Sequence, residues 1–313
     1  MFQPATIRIG TRASKLALAQ SEEVKNRLLA AYPDMRPEQF VIVPMTTTGD
    51  AVQDKTLNEI GGKGLFTKEI EDALLDGSVD IAVHSMKDMP TVLPDGLAIT
   101  CLLEREDPRD AFISNSAAGV DVLPLYAVIG TASLRRGAQL KAHRPDLEII
   151  PIRGNVQTRL RKLSEGMCDA TLLAVAGLKR LGMEEVITTP LPVSVCLPAV
   201  AQGAIGVECR TDRPELAEWL AAIHHHDTAL CIAAERSFLA ELDGSCRTPI
   251  AGLATLEGET LTLEGLVAKP NGKTVHRDSI TCPARLEDAA AAGTELGQRL
   301  LARAGRNFLA TAK

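Results

Sequence analysis

The most restrictive feature of this chain is a strand–helix–strand rhythm that opens it and later returns. Residues 5–12, ATIRIGTR, alternate with the period of a strand, and residues 40–47, FVIVPMTT, form a second apolar run. Between them SKLALAQSEEVKNRLLAAY carries apolar residues at helical spacing behind Ser14, a good N-cap. Two strands joined through a helix pair in parallel, because only a crossover of that length returns the chain to the starting edge. After the polar, glycine-bearing stretch 49–64, LFTKEIEDALLDG predicts a helix closing on Gly77, and VDIAVHS a short buried strand. The opening part of the chain is therefore read as α/β with a parallel sheet.

The rhythm restarts near EREDPRDAFIS. YAVIG leads into a helix from Ser133, LEIIPI into a helix from Asn155, and ATLLAV into a helix containing GLKRLG, which predicts a second α/β domain. AVAQGAIGVECR reads as a strand crossing back into the first. From PELAEWLAAIHHHD onward the pattern changes to helices through FLAELDG. Strand-like alternation with an Asn-Gly turn at 271–272 follows, and then a helix over 286–305. The predicted fold class is α/β, with a small α+β domain at the C-terminal end. The domains are 1–103 with 202–221, then 104–201, then 222–313.

With 313 residues, 45% of them hydrophobic, the chain can bury several cores. No apolar run reaches the roughly 18 residues of a membrane span, and MFQPATIRIGTR lacks the layout of a secretory signal, so the expected location is the cytoplasm. Seven cysteines without a CxxC pair favour neither a disulfide framework nor zinc. The His224-His225-His226 run points its rings in different directions on a helix and is a poor metal site. The net charge of −6 argues against general nucleic-acid binding. Residues 130–180, however, hold ten Lys/Arg against four Asp/Glu, so an island of +6 sits in a chain whose remainder carries −12. Such an island suits a small ligand with several negative charges, although solvated helix faces also collect such charge.

Four polar clusters fall at predicted strand ends: Thr11 to Ser14, Ser85 to Asp88, Thr131 to Arg136, and Arg153 to Asn155. Ligands of open α/β sheets bind at such ends. Three of these clusters start helices, where unpaired N–H groups and the helix dipole attract anions and arginines add paired donors. Ser14, Ser133 and Asn155 taken singly are ordinary N-caps, and Lys87 beside Asp88 is equally a surface ion pair. His84, alone in an apolar strand, is read as a hydrogen-bonded core residue. Cys246, in the turn LDGSCRTPI, is either a structural thiol or an exposed nucleophile.

Taken together, IGTRASKLALAQ, GGKGLFTKEIE, DIAVHSMKDMP, EREDPRDAFIS, GTASLRRGAQL, RGNVQTRL, LLAVAGLKRLG, LPAVAQGAIGVECR and GSCRTPI resemble the porphobilinogen deaminases, in family order from residue 8 to 250. The resemblance implies two domains arranged like type II periplasmic binding proteins around a cleft, a third bearing a cysteine loop, and a monomeric enzyme. It implies a dipyrromethane primer joined by a thioether to Cys246, onto which four porphobilinogen molecules are condensed with loss of ammonia before water releases hydroxymethylbilane. By motif position, Asp88, Lys87 and Arg12 correspond to catalytic groups. Ser14, Asp50, Lys63, Ser85, Lys87, Asp88, Thr131, Ser133, Arg135 and Arg136 correspond to cofactor-binding groups, and Arg12, Gln20, Arg153, Arg159 and Arg180 to substrate-binding ones. The acetate and propionate of each pyrrole ring give the basic island a purpose. Residues 50–62, ending in Gly61-Gly62, are expected to form a lid. Ala132, Ala201 and Glu59 depart from the commonest family pattern.

Two other classes compete on the residues alone. A non-enzymatic binding protein would use the same cleft but leave Cys246 idle. A cysteine acyl-transferase would want a histidine beside the thiol, and no local cysteine–histidine pattern is present.

Overall fold

The computed structural model describes residues 4–51, 66–242, 248–305 and 308. The chain divides into two compact units, Met1–Glu106 with Ala204–Ala229, and Asp107–Gly203 with Leu230–Lys313.

The first unit opens as the alternation predicts, with β1 (Ile7–Arg12), α1 (Lys15–Ala31) and β2 (Phe40–Met45), the two strands parallel. Ser14 caps α1 by accepting from the Ala17 N–H at 3.3 Å. A short α2 (Thr48–Ala51) precedes the undescribed residues, and α3 (Lys68–Leu75), β3 (Ile81–Ser85) and β4 (Leu97–Leu102) follow. The strand returning late in the chain, β10 (Ile205–Arg210), inserts between β3 and β4 and runs antiparallel to both. The all-parallel sheet expected from the opening rhythm is thus a mixed one, because a strand arriving from the other unit enters from the opposite end. Ile7, Ile9, Val24, Leu28, Ile81, Val83, Ile205 and Val207 form its core with Trp219. The Tyr32 ring stacks on Trp219, and its hydroxyl donates to the Trp219 carbonyl at 2.7 Å.

The second unit repeats the order. β5 (Asp110–Ser114), β6 (Val128–Gly130), β7 (Glu148–Ile150), β8 (Ala170–Ala174) and β9 (Thr189–Pro190) form a sheet ordered β7-β6-β8-β5-β9, with β5 antiparallel in the fourth place. The helices α4 (Leu134–His143), α5 (Val156–Ser164) and α6 (Val175–Arg180) connect these strands or follow them. In the other unit, α7 (Pro214–Leu220) follows β10. Past α8 (His226–Glu241), the strands β11 (Ile250–Glu257), β12 (Thr260–Ala268) and β13 (Val275–Pro283) make an antiparallel meander, and α9 (Leu286–Ala304) packs on it. The Asn-Gly turn joins β12 to β13, with Gly272 at φ 71°.

The buried polar hub of the second unit is Asp110. Its carboxylate accepts from Arg135 Nη1 at 2.7 Å, from Arg136 Nη2 and Nε at 2.6 and 3.0 Å, and from Gln202 Nε2 at 2.9 Å. Arg135 Nη1 also donates to the Leu197 carbonyl and Arg136 Nη1 to that of Leu172, so one side chain ties β5, α4, β8 and the 197–202 segment together. Burial alone would push this carboxyl up; the charges of the two arginines and their hydrogen bonds outweigh burial and hold it far below the usual carboxylate range.

Gly293 of α9 lets two helices approach closely, since a Cβ there would stand 2.2 Å from the Ala234 carbonyl of α8. Gly293→Val is expected to destabilise by about 2 kcal/mol or more, read from urea unfolding. Asp110→Asn removes a carboxylate from between two buried guanidiniums and is expected to cost about 3–5 kcal/mol at neutral pH. Because its folded-state pKa is depressed, Asp110 contributes stability that is fully present above the ordinary carboxylate range and is lost as pH falls toward the folded value. Acid unfolding followed by circular dichroism should therefore be less steep in Asp110→Asn than in the wild type.

Candidate active site

β1 and β3 are parallel neighbours, with Gly10 opposite Ala82, so their carboxyl ends bring Arg12 and Ser85 to the same side of the sheet. Below Ser85 the chain makes a tight turn through Met86, Lys87 and Asp88. Met86 is buried and anchors that turn. A Cβ on Gly206 of β10 would stand 2.2 Å from its sulfur, so the bare backbone of β10 makes room for the anchor. With Met86 turned inward, Lys87 and Asp88 line an open cleft of about 460 Å³, shared with Arg12, Ser14, Gln20, Phe66, Thr67, His84 and Ser85.

Within the cleft, the Arg12 guanidinium lies 3.7 Å from the Asp88 carboxylate and 4.4 Å from the centre of the Phe66 ring. Both charged side chains keep part of their surface open, 24% and 34%, so the pair is accessible to a ligand. Gln20, buried on the inner face of α1, is hydrogen-bonded to the Ser85 hydroxyl at 2.8 Å. The structure therefore assembles Arg12, Ser14, Gln20, Ser85, Lys87 and Asp88 in one place, as the strand-end argument expects.

In the second unit, Thr131 follows β6 and its hydroxyl accepts from the Ser133 N–H at 3.2 Å; Ser133 in turn caps α4 by accepting from the Arg136 N–H. Arg135 and Arg136, in the first turn of α4, are buried on Asp110. Asn155 caps α5, accepting from the N–H and hydroxyl of Thr158, both at 2.9 Å. Arg159 donates from Nε to the Gly154 carbonyl at 2.8 Å, where Gly154 has φ 116°. Lys162 binds the carbonyl of Arg153, and Arg180 donates to that of Gly203 at 3.1 Å. Two buried arginines share one carboxylate, which leaves a surplus positive charge in the interior. Such a charge is stabilised by a further anion, so this donor set fits a group with several carboxylates.

Lys63, Cys246, Glu59 and the expected lid over 50–62 lie outside the described residues, apart from the backbone of Asp50 and Ala51 in α2. Ala201 has φ 59°, the left-handed conformation that favours glycine, and Glu235 holds its N–H at 2.6 Å. The histidine run caps rather than converges: His224 Nδ1 accepts from the Leu102 N–H, and His225 Nδ1 lies 2.9 Å from the Thr228 hydroxyl.

Sequence reasoning missed Phe66, although it stands in the GGKGLFTKEIE segment, and it missed Asp110 and Gln202, whose roles depend on burial. It also missed Glu71 and Glu208, two buried acids beneath the cleft.

Comparison with known proteins identifies the family. Residues 7–218 match the family model described as the porphobilinogen deaminase dipyrromethane cofactor binding domain, and residues 229–302 match the porphobilinogen deaminase C-terminal domain. The chain is 56% identical over 302 residues to the porphobilinogen deaminase of Paracoccus denitrificans, covering 96% of both proteins. It is 52% identical to the chloroplastic porphobilinogen deaminase of Oryza sativa, over 96% of this chain and 85% of that one. Among solved structures, a periplasmic substrate-binding protein of an ABC transporter from Coxiella burnetii is 16% identical, with TM-score 0.42, over 70% of this chain and 92% of that one. With both regions matched and full-length relatives more than half identical, the chain belongs to the porphobilinogen deaminase family.

Proposed function

We propose that Asp88 is the catalytic carboxylate of this enzyme, with Arg12 and Lys87 as its partners in the cleft and Cys246 as the covalent anchor of the cofactor through a thioether. The enzyme converts porphobilinogen into hydroxymethylbilane in tetrapyrrole biosynthesis, and its cofactor is dipyrromethane. When bound, the dipyrromethane supplies the pyrrole α-carbon to which new rings are joined.

The observation that carries the reading is the Arg12–Asp88 pair at 3.7 Å in an open cleft beside Lys87 and Ser85. Arg12 and Lys87 are cations suited to the acetate and propionate of porphobilinogen. Asp88 is suited to accept from a pyrrole N–H and to offset the positive charge that develops as ammonia leaves the aminomethyl arm, an electrostatic role rather than a nucleophilic one. The Ser85 hydroxyl, fixed by Gln20, and the Ser14 N-cap add neutral donors. In the second unit, Thr131, Ser133, Arg135 and Arg136 are assigned to cofactor carboxylates, and Arg153, Arg159 and Arg180 to those of the substrate.

The assignment of Cys246 is supported by the state of five of the six other thiols; the sixth, Cys282, is half-buried, and burial pushes its thiol up as well. Cys101, Cys168, Cys196, Cys209 and Cys231 are buried, and burial pushes the thiols of Cys101 and Cys196 up to about 12, where a thiolate nucleophile is scarce at neutral pH. These thiols stand outside any disulfide, which also suits a reducing compartment such as the cytoplasm, where we place a monomeric enzyme. Three separate sheets support a division into domains 1–103 with 202–221, 104–201 and 222–313.

Asp88→Asn is expected to keep the fold and lose about 100-fold or more in turnover, measured as ammonia release from porphobilinogen. Near-normal turnover would remove Asp88 from the mechanism. Intact mass spectrometry should find an addition of two porphobilinogen units less two ammonias on the wild type and none on Cys246→Ser. The same addition on both proteins would reject the anchor.

A further inference from the structure

Beneath the cleft lies a group of ionisable side chains that the reaction scheme leaves unused. β10 pairs antiparallel with β3, placing Gly206 opposite His84 and Glu208 two residues further along the same face. From there the Glu208 carboxylate reaches His84 Nε2 at 3.0 Å. Glu71 enters from α3, and Thr67, just before that helix, lines the cleft with His84. All four are buried: Glu208 is 0% exposed, Thr67 1%, His84 5% and Glu71 6%.

Two carboxylates and one imidazole share this interior. Counted from a neutral imidazole and two bare carboxylates, the three are electrically neutral together only when they take up two further protons, as with one completing an imidazolium and one on a carboxyl. Hydrogen bonding makes the same demand. Among the described residues, Glu71 Oε1 and Glu208 Oε1 are buried without a hydrogen-bond partner, and a second bare carboxylate would add acceptors to a place already short of donors.

We propose that Glu71, Glu208 and His84 form a proton-holding cluster under the cleft floor, whose charge sets how tightly the anionic substrate is held above it. The three act as positioning residues, since none is assigned to touch substrate. Loss of the carboxyl proton would place one net negative charge in the interior beside the wall formed by Thr67, His84 and Ser85. That charge opposes the acetate and propionate of porphobilinogen and raises KM. The proposal rests on the reading of the Arg12–Asp88 cleft as the place where substrate binds.

The surroundings of Glu71 favour the protonated form. Burial raises its pKa most, and the charge of Glu208 raises it further, while the neighbouring Thr67 hydroxyl and His84 work in the opposite direction. The ionisable groups facing it are Glu208 from β10, His84 from β3 and Asp72 from its own helix. The other strands around α3 contribute the apolar residues Val43, Met45 and Leu97.

The test is the pH dependence of KM for porphobilinogen in the holoenzyme, compared between wild type and Glu71→Gln, which keeps the shape of a neutral carboxyl. Wild-type KM should rise as pH climbs above the ordinary carboxylate range. For one buried charge acting through the cleft wall the rise is on the order of threefold. In Glu71→Gln that rise should vanish. A lowered melting temperature with an unchanged KM profile would mean a purely structural role and overturn the proposal. Should Glu71→Gln not fold, infrared spectroscopy of the wild type decides. A protonated carboxyl band persisting above the pH at which exposed carboxyls have ionised supports the cluster, and its absence overturns it. The cleft reading fails separately, through normal turnover of Asp88→Asn, and the infrared band does not depend on that result.

Discussion

The carboxylate of Asp110 is the constraint on which the second unit depends. Two guanidiniums taken out of water would cost several kcal/mol each without a counter-charge, and Asp110 supplies one negative charge for both. The same arrangement that lets α4 bury its first turn against β5 therefore leaves a positive excess near the helix N-terminus. The first unit solves a different problem, with Arg12 and Asp88 paired across a partly open cleft, where each keeps surface to offer.

The two halves also differ in how they fix backbone. In the first, the turn carrying Lys87 and Asp88 is placed by a buried methionine under it, and Met86 finds room because Gly206 has no side chain. In the second, caps do the placing: Ser133 and Asn155 start α4 and α5 at defined points, so that Arg135, Arg136 and Arg159 leave their helices at set heights. Glu235 clasps the Ala201 and Ala254 N–H groups at 2.6 and 2.8 Å and holds the left-handed Ala201 where glycine would rest without strain.

Much of this was legible in the residues themselves. Period and capping located β1, α1, β2, β3 and the starts of α4 and α5, because those signals are local. The return of β10 to the first sheet was read from one apolar run, but its antiparallel direction was not, since direction follows from where the chain comes from and not from composition. Asp110 stands within EREDPRDAFIS without announcing its role, because an acid next to an arginine looks solvated until its burial is known. His84 was correctly read as a hydrogen-bonded interior residue, yet its partner stands 124 positions away and no local pattern announces such a pairing.

The place of β10 bears on how the molecule is made. β5 to β9 follow one another without interruption, so the second five-stranded sheet has all its parts once the chain has passed residue 190. The first sheet begins earlier but lacks its fourth strand until residues 205–210 have been synthesised, more than a hundred residues after β4. Until then β3 and β4 have no strand between them, and their edges are open to wrong partners. Of the two five-stranded sheets, the one that leaves the ribosome first is therefore the later to close, and its vulnerable interval lasts as long as the translation of its neighbour.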